Sequence, residues 1–204
     1  MAMAPLSPNA RDLIFKFEGV DQPWDWPGGA SGITIGYGYD LGQEPADDFH
    51  ADWTSYLAAA DLALLNGVLG LTGAAAQAKA ASLKSIHIKQ SDSQTVFLNR
   101  SVPKYQALTL SAFPGVDALP ADAQGALLSL VYNRGTSMNG DSRSEMRAIR
   151  DAVPSGNLQA IAEQLRAMKR LWVGKGLDGL LKRRDAEADL VASCIPPQSA
   201  GPQT

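Results

Sequence analysis

Three residues in the first forty positions have the types and spacing for acid–base chemistry: Glu18, Thr34 and Asp40. Ser7-Pro8 reads as an N-cap followed by a proline in the first helical turn. The helix so opened carries Leu13, Ile14 and Phe17 on one face and is expected to stop at Gly19. On a wheel of about 100° per residue, Glu18 falls about 95° from the centre of that apolar face, at the rim of the buried stripe. The dipole disfavours a carboxylate at a helix C-terminus, and half-burial disfavours its charge further. Both effects favour the protonated form that a general acid needs. The plainer alternative is a surface glutamate that ends a helix.

The run Ile33 to Asp40 alternates strictly. Ile33, Ile35, Tyr37 and Tyr39 form a core-like face, and Thr34, Gly36, Gly38 and Asp40 form the other. Glycines on an otherwise good strand suggest close approach of another chain or a ligand, and a sugar ring over Gly36 and Gly38 would fit. A straight strand separates Thr34 from Asp40 by about 20 Å, whereas the paired carboxyl groups of inverting glycosidases stand ~6.5–9.5 Å apart. If Thr34 and Asp40 serve one site, the segment must turn at Gly36 or Gly38, which glycine permits. The alternative is an ordinary hairpin with a polar outer face.

These residues sit on a chain of 204 residues with one cysteine, Cys194, and two histidines, His50 and His87. That length argues for one domain with room for a core. One cysteine excludes an intrachain disulfide and, with two histidines, a Cys/His zinc cluster; no metal or cofactor is expected. No apolar run approaches the ~20 residues of a spanning helix, so no membrane insertion is expected. The first ten residues lack the pattern of a secretory signal. The net charge of −3 hides an asymmetry. No Lys or Arg lies between Phe17 and Ala78, where nine acids stand, whereas Arg166 to Arg184 holds seven bases against Asp178 alone. That contrast reads either as two solvated faces or as a basic wall facing an acidic pocket. The basic stretch has no interleaved aromatics beyond Trp172, so nucleic acid is not expected.

Seven glycines between Gly19 and Gly42 make that stretch turns and short strands. Helical periodicity returns at about 48–66, 73–84, 92–111, 121–134, 143–153, 157–171 and 177–193. Pro103 should kink or split the third of these, and Gly135 and Gly156 read as helix punctuation. The expected fold class is α+β, mostly α. A small glycine-rich hairpin lobe (20–47) follows the first helix, a helical lobe spans 48–194, and residues 195–204 form a frayed tail.

The series Phe17-Glu18-Gly19, then Trp26 to Gly42 with Gly32-Ile33-Thr34-Ile35-Gly36-Tyr37-Gly38-Tyr39-Asp40-Leu41-Gly42, resembles the phage-type lysozymes, and within them the pesticin-type branch. Tyr132-Asn133-Arg134-Gly135 is similar to that branch's Tyr-Asn-x-Gly helix end, and Gly176-Leu177 to Glu187 to its Gly-Leu…Arg-Arg-x-x-Glu ending. The resemblance spans about Asn9 to Val191. It implies a two-lobed lysozyme-like domain and an N-acetylmuramidase that cuts the β-1,4 bond between N-acetylmuramic acid and N-acetylglucosamine in peptidoglycan. It further implies Glu18 as general acid, with Thr34 and Asp40 holding and activating the water of an inverting displacement. Many phage lysozymes carry an acid six residues before the motif Thr; here that position is Gly28, and Asp25 is the nearest acid upstream. In the pesticin-type branch the acid follows the Thr by six, which places Asp40 above Asp25.

Trp24 and Trp26 flank Asp25 and read either as sugar-stacking faces or as anchors for a lobe short of aliphatic residues. With the resemblance, Asn133 is expected to face the cleft. Arg183 or Arg184 is expected to pair with Glu18 or to bind a peptide-stem carboxylate, a surface arginine being the default. Tyr37, Tyr39 and Trp172 read as packing. Alternative functions are a non-catalytic peptidoglycan-binding or structural module on the same scaffold, and a lytic transglycosylase. A monomer is expected, acting on peptidoglycan strands in the periplasm or a target-cell wall. It would be a phage endolysin, or an interbacterial effector that uses a secretion apparatus and is countered by an immunity protein.

Overall fold

The computed structural model describes residues 2–197; of the expected tail, 198–204 lie outside the described residues. The protein is mostly helical with one two-stranded antiparallel hairpin, as the sequence leads one to expect. Its contacts divide it into two compact units. One is Glu18–Pro103; the other joins the residues up to Phe17 with those from Lys104 onward. The division expected at residues 47 and 48 is therefore not where the packing divides. The reason is the core of the first unit: Ile33, Ile35 and Leu41 of the hairpin segment are buried in one cluster with Phe49, Trp53 and Leu65 from the helices that follow.

That unit holds β1 (Thr34–Ile35), β2 (Tyr39–Asp40), α2 (Ala46–Trp53), α3 (Ala59–Asn66), α4 (Gly73–Ala80), α5 (Gln90–Val96) and a π-helical turn, Phe97–Ser101. The expected helix 48–66 is two helices. Thr54 and Ser55 are weak helix formers, and the Thr54 hydroxyl bonds back to the His50 carbonyl at 2.6 Å. The expected helix 92–111 is also divided, by the π turn, immediately before α6 (Val102–Ala112). Pro103 directly follows that π turn in an unbroken helical run, so the N–H it lacks falls where the i→i−4 ladder is already interrupted.

The second unit is built on α7 (Ala121–Arg134), buried continuously from Ala123 to Val131. Against it pack α1 (Pro8–Phe17) and α10 (Asp178–Ala192), and α6 meets it through Tyr105 on Tyr132; α9 (Leu158–Ala167) packs on α10, and α8 (Ser144–Ala152) on α9. Ser7 caps α1 as expected, its hydroxyl accepting the Ala10 N–H at 3.2 Å. Gly125 lets α1 and α7 touch: a Cβ there would stand 2.1 Å from the Ala10 Cβ. Gly135, at φ 70°, ends α7 by donating to Val131. Among the described residues no helix is long and apolar enough to cross a membrane.

Candidate active site

The alternating run does turn, at Gly36-Tyr37-Gly38, with both glycines at positive φ (61° and 68°). The result is a hairpin in which Thr34 stands opposite Asp40 and Ile35 opposite Tyr39. The Leu41 N–H donates to Ile33 O at 2.9 Å, which makes 33/41 a hydrogen-bonded pair and the adjacent 34/40 a non-hydrogen-bonded one. In such pairs the Cα atoms approach to about 4.5 Å and the side chains are at their closest. Alternation places Ile33, Ile35, Tyr39 and Leu41 in the core cluster and Gly32, Thr34, Asp40 and Gly42 on the opposite face, where Gly32 and Thr34 are buried as well and Asp40 and Gly42 are half-buried.

Asp40 uses the two glycines beside it. Its Oδ1 accepts the N–H groups of Gly32 (3.0 Å) and Gly42 (2.8 Å), and its Oδ2 is 3.2 Å from Gly32 N. A side chain at Gly32 would place Cβ 2.3 Å from Asp40 Oδ1. The glycines of this motif thus make room for a carboxylate held by backbone amides. Gly36 has a different purpose from the one expected. It is buried, and a Cβ there would meet Trp53 and Ser93 at 3.1 Å. Core side chains fill the space over Gly36, which leaves no room there for the sugar ring expected over it.

Glu18 lies one residue beyond α1, in a bend, and is half-buried. Three residues later comes an acid that motif reasoning missed. Asp21 and Gly36 exchange backbone hydrogen bonds (Asp21 N to Gly36 O 2.6 Å; Gly36 N to Asp21 O 2.9 Å), and the Asp21 carboxylate accepts the Gly38 N–H at 3.2 Å. It therefore clamps the hairpin turn. Burial raises its pKa, the Gly38 N–H opposes that rise, and the nearby charges of Glu18 and Asp25 add to it. Glu18, Asp21 and Asp25 thus form one electrostatic group, whereas Asp40 belongs to the hairpin face with Thr34. The signal for Asp21 lay in the absence of any Lys or Arg nearby, which leaves backbone amides as the partners of its carboxylate.

Trp24 stacks on His87 with centroids 5.7 Å apart, and both indole and imidazole keep exposed surface. Trp26 packs on the core cluster and donates its indole N–H to Ser31 O at 3.0 Å, which makes it an anchor of its loop. Tyr39 is buried as expected; its hydroxyl donates to Asp52, which Arg100 holds at 2.6 Å. Burial, then that bond to Asp52, pushes the phenol far up.

In the helical unit Asn133 is exposed at the end of α7, and its Oδ1 accepts from Arg184 Nη2 at 3.3 Å. Arg184 itself is fully buried and ion-paired with Glu187 at 2.8 Å, so it offers no surface for direct ligand contact. This corrects its expected place among ligand-binding residues; within its unit it supports Asn133. Glu187 Oε1 also accepts from Ser129 (2.6 Å) and from Arg183 (3.3 Å). The expected basic wall is largely neutralised as well. Arg166 pairs with Asp189, Lys169 with Asp185, and Arg170 with Glu145 and Asp141. Trp172, expected in the core, is half-exposed.

A family described as a domain of unknown function (DUF8812) matches residues 13–109. No curated protein matches the chain. The family match covers just under half of the chain. It takes in Glu18, Asp21, Thr34 and Asp40 but neither Asn133 nor Arg184. Among the described residues no group of three or more His, Cys, Asp or Glu side chains is placed to hold a metal ion.

Proposed function

We propose that this protein is a glycoside hydrolase of peptidoglycan, an inverting N-acetylmuramidase. The observation that carries the reading is the hairpin register, which folds Thr34 opposite Asp40 in a close pair although six residues separate them. In this reading Glu18 donates its proton to the glycosidic oxygen as the bond to the anomeric carbon breaks. A water held by the Thr34 hydroxyl and Asp40 Oδ2 attacks that carbon from the opposite face and gives its proton to the carboxylate. Oδ1 takes the Gly42 N–H and the shorter branch of the Gly32 N–H, whereas Oδ2 has only the longer branch from Gly32 at 3.2 Å, so Oδ2 is the oxygen with more capacity for the water. Inversion turns the β-glycosidic bond into an α-anomeric product. The same proposal takes the two units as the two lobes of a lysozyme-like domain, with Trp24, in the unit that holds Glu18, Thr34 and Asp40, as a contact to the glycan.

A second reading of the base rests on one observation. Asp40 is already held by three backbone contacts, whereas Asp25 is exposed and acts on the same Asp21 as Glu18 does. In that reading Asp40 is a latch for the hairpin and Asp25 takes the proton from water. Turbidity loss of purified peptidoglycan tests both. Glu18→Gln should lower turnover by about 10²–10⁴-fold while leaving the fold within about 1 kcal/mol of wild type. Asp40→Asn should abolish most activity and Asp25→Asn should spare it. The reverse order would hand the role to Asp25, and a folded Glu18→Gln variant with near wild-type turnover would end the assignment of Glu18 as the general acid; no turbidity loss with the wild-type protein would end the hydrolase reading. Two settings suit such an enzyme: a phage endolysin, or an interbacterial effector opposed by an immunity protein. The neighbouring genes distinguish them.

A further inference from the structure

In the helical unit most basic side chains on α9, α10 and the turn between them face a carboxylate, as described above. Two arginines nearby do not. Arg134, the last residue of α7, donates Nη2 to Ser142 O at 2.6 Å, and Arg143 donates to the Met146 sulfur at 3.3 Å. Among the described residues neither has a carboxylate oxygen within the 4.0 Å of an ion pair. The Arg134 guanidinium lies 4.9 Å over the Trp172 ring, and its Nε is buried without a hydrogen-bond partner. All three side chains are half-buried, so they keep exposed surface.

This arrangement costs free energy as it stands. Burial, then the charges of Arg143 and Arg184, push the Arg134 pKa down to about 10. The acid that opposes them, Glu145, is already engaged by Arg170. Like charges brought together in a half-buried place are unfavourable unless an anion joins them. Stacking on the indole fixes the plane of one guanidinium, and a fixed fork suits two oxygens of one oxyanion.

We propose that Arg134, Arg143 and Trp172 form a binding site for an oxyanion, a carboxylate or a phosphate. The site stands apart from the hydrolase reading, since it lies in the helical unit and uses none of Glu18, Thr34 or Asp40. Its competitor is a purely structural role, in which Arg134 holds the loop through Ser142 and Arg143 packs on Met146.

The test follows the indole N–H signal of Trp172 by NMR in a chloride buffer of low ionic strength, with the signal assigned by Trp172→Phe. Inorganic phosphate and N-acetylalanine are titrated separately, with the neutral N-acetylalaninamide as control. A saturable shift with an anion and none with the amide is expected. Tighter binding of phosphate identifies a phosphate source, and tighter binding of N-acetylalanine a carboxylate source. Arg143→Gln should weaken the anion by about tenfold or more, the worth of one charged hydrogen bond. Arg134→Lys, which keeps the charge and loses the fork, should also weaken it. In the same chloride buffer Arg143→Gln should melt no lower than wild type, because it removes a repulsion. A shift linear throughout the titration, or an affinity unchanged by Arg143→Gln, overturns the site. So does a melting point of that variant below wild type, because Arg143 would then hold the fold through its contact with Met146.

Discussion

In the unit Glu18–Pro103 the carboxylates of Asp21 and Asp40 are met by glycine N–H groups: Gly38 for one, Gly32 and Gly42 for the other. In the helical unit Glu145, Glu187, Asp185 and Asp189 are met by guanidinium or ammonium groups. The first pattern follows from a stretch of sixty-odd positions without Lys or Arg, and from glycines spaced along it. Arg100, beyond that stretch, supplies the cation for Asp48 and Asp52. A backbone amide fixes the direction of a carboxylate without cancelling its charge. An arginine cancels the charge and turns the pair into scaffold. The hairpin unit therefore keeps negative charge at defined positions, while the helical unit mostly spends its own on cohesion.

The largest effect that would break this contrast is expected at Glu187. It is the carboxylate shared by two buried arginines, and desolvation already raises its pKa against their pull. Glu187→Ala should cost about 3–5 kcal/mol by leaving buried guanidinium charge uncompensated, as read by urea unfolding. A cost below that of an exposed ion pair would mean that these arginines do not depend on it.

Gly32→Ala is the matching test in the hairpin unit. Its Cβ would stand 2.3 Å from Asp40 Oδ1 and 2.4 Å from Gly42 N, so the latch must open. A loss of about 1–3 kcal/mol is expected, with the Gly42 amide losing hydrogen-exchange protection. Full stability with protection retained would show that Asp40 is not held there.

The smallest effect is expected at Asp21. Its pKa is raised in the folded chain, so the native state binds the proton more tightly than the unfolded state does. The stability it contributes is complete below the ordinary value of 3.8 and is lost as pH rises through the folded value. Asp21→Asn keeps an oxygen for the Gly38 N–H and removes that loss. Its stability should fall less than that of wild type as pH rises from 3.8. Parallel profiles in a series of urea titrations would mean that neither burial nor the charges of Glu18 and Asp25 raise the pKa of Asp21.

Much of this was legible in the residues. Ser7 before Pro8 marked the start of α1, and Gly135 marked the end of α7, because caps and left-handed glycines act within a few residues. The turn at Gly36 and Gly38 followed from the reach of a strand once Thr34 and Asp40 were asked to serve one place. The break after Trp53 was harder to see, since a side-chain bond from Thr54 competes with helix only weakly and tertiary packing decides the outcome.

What the sequence determined by itself, then, is local and periodic: the helices, the alternating faces, the turning glycines, and an acidic stretch without cations. Only the tertiary structure decided which groups meet. Asp21 reaches a turn fifteen residues away, Ser129 and Glu187 meet across fifty-eight, and Arg184 is withdrawn from the surface into that pair. Such partnerships depend on how elements pack, and a charge in the chain carries no mark of whether an amide, a guanidinium or water will face it.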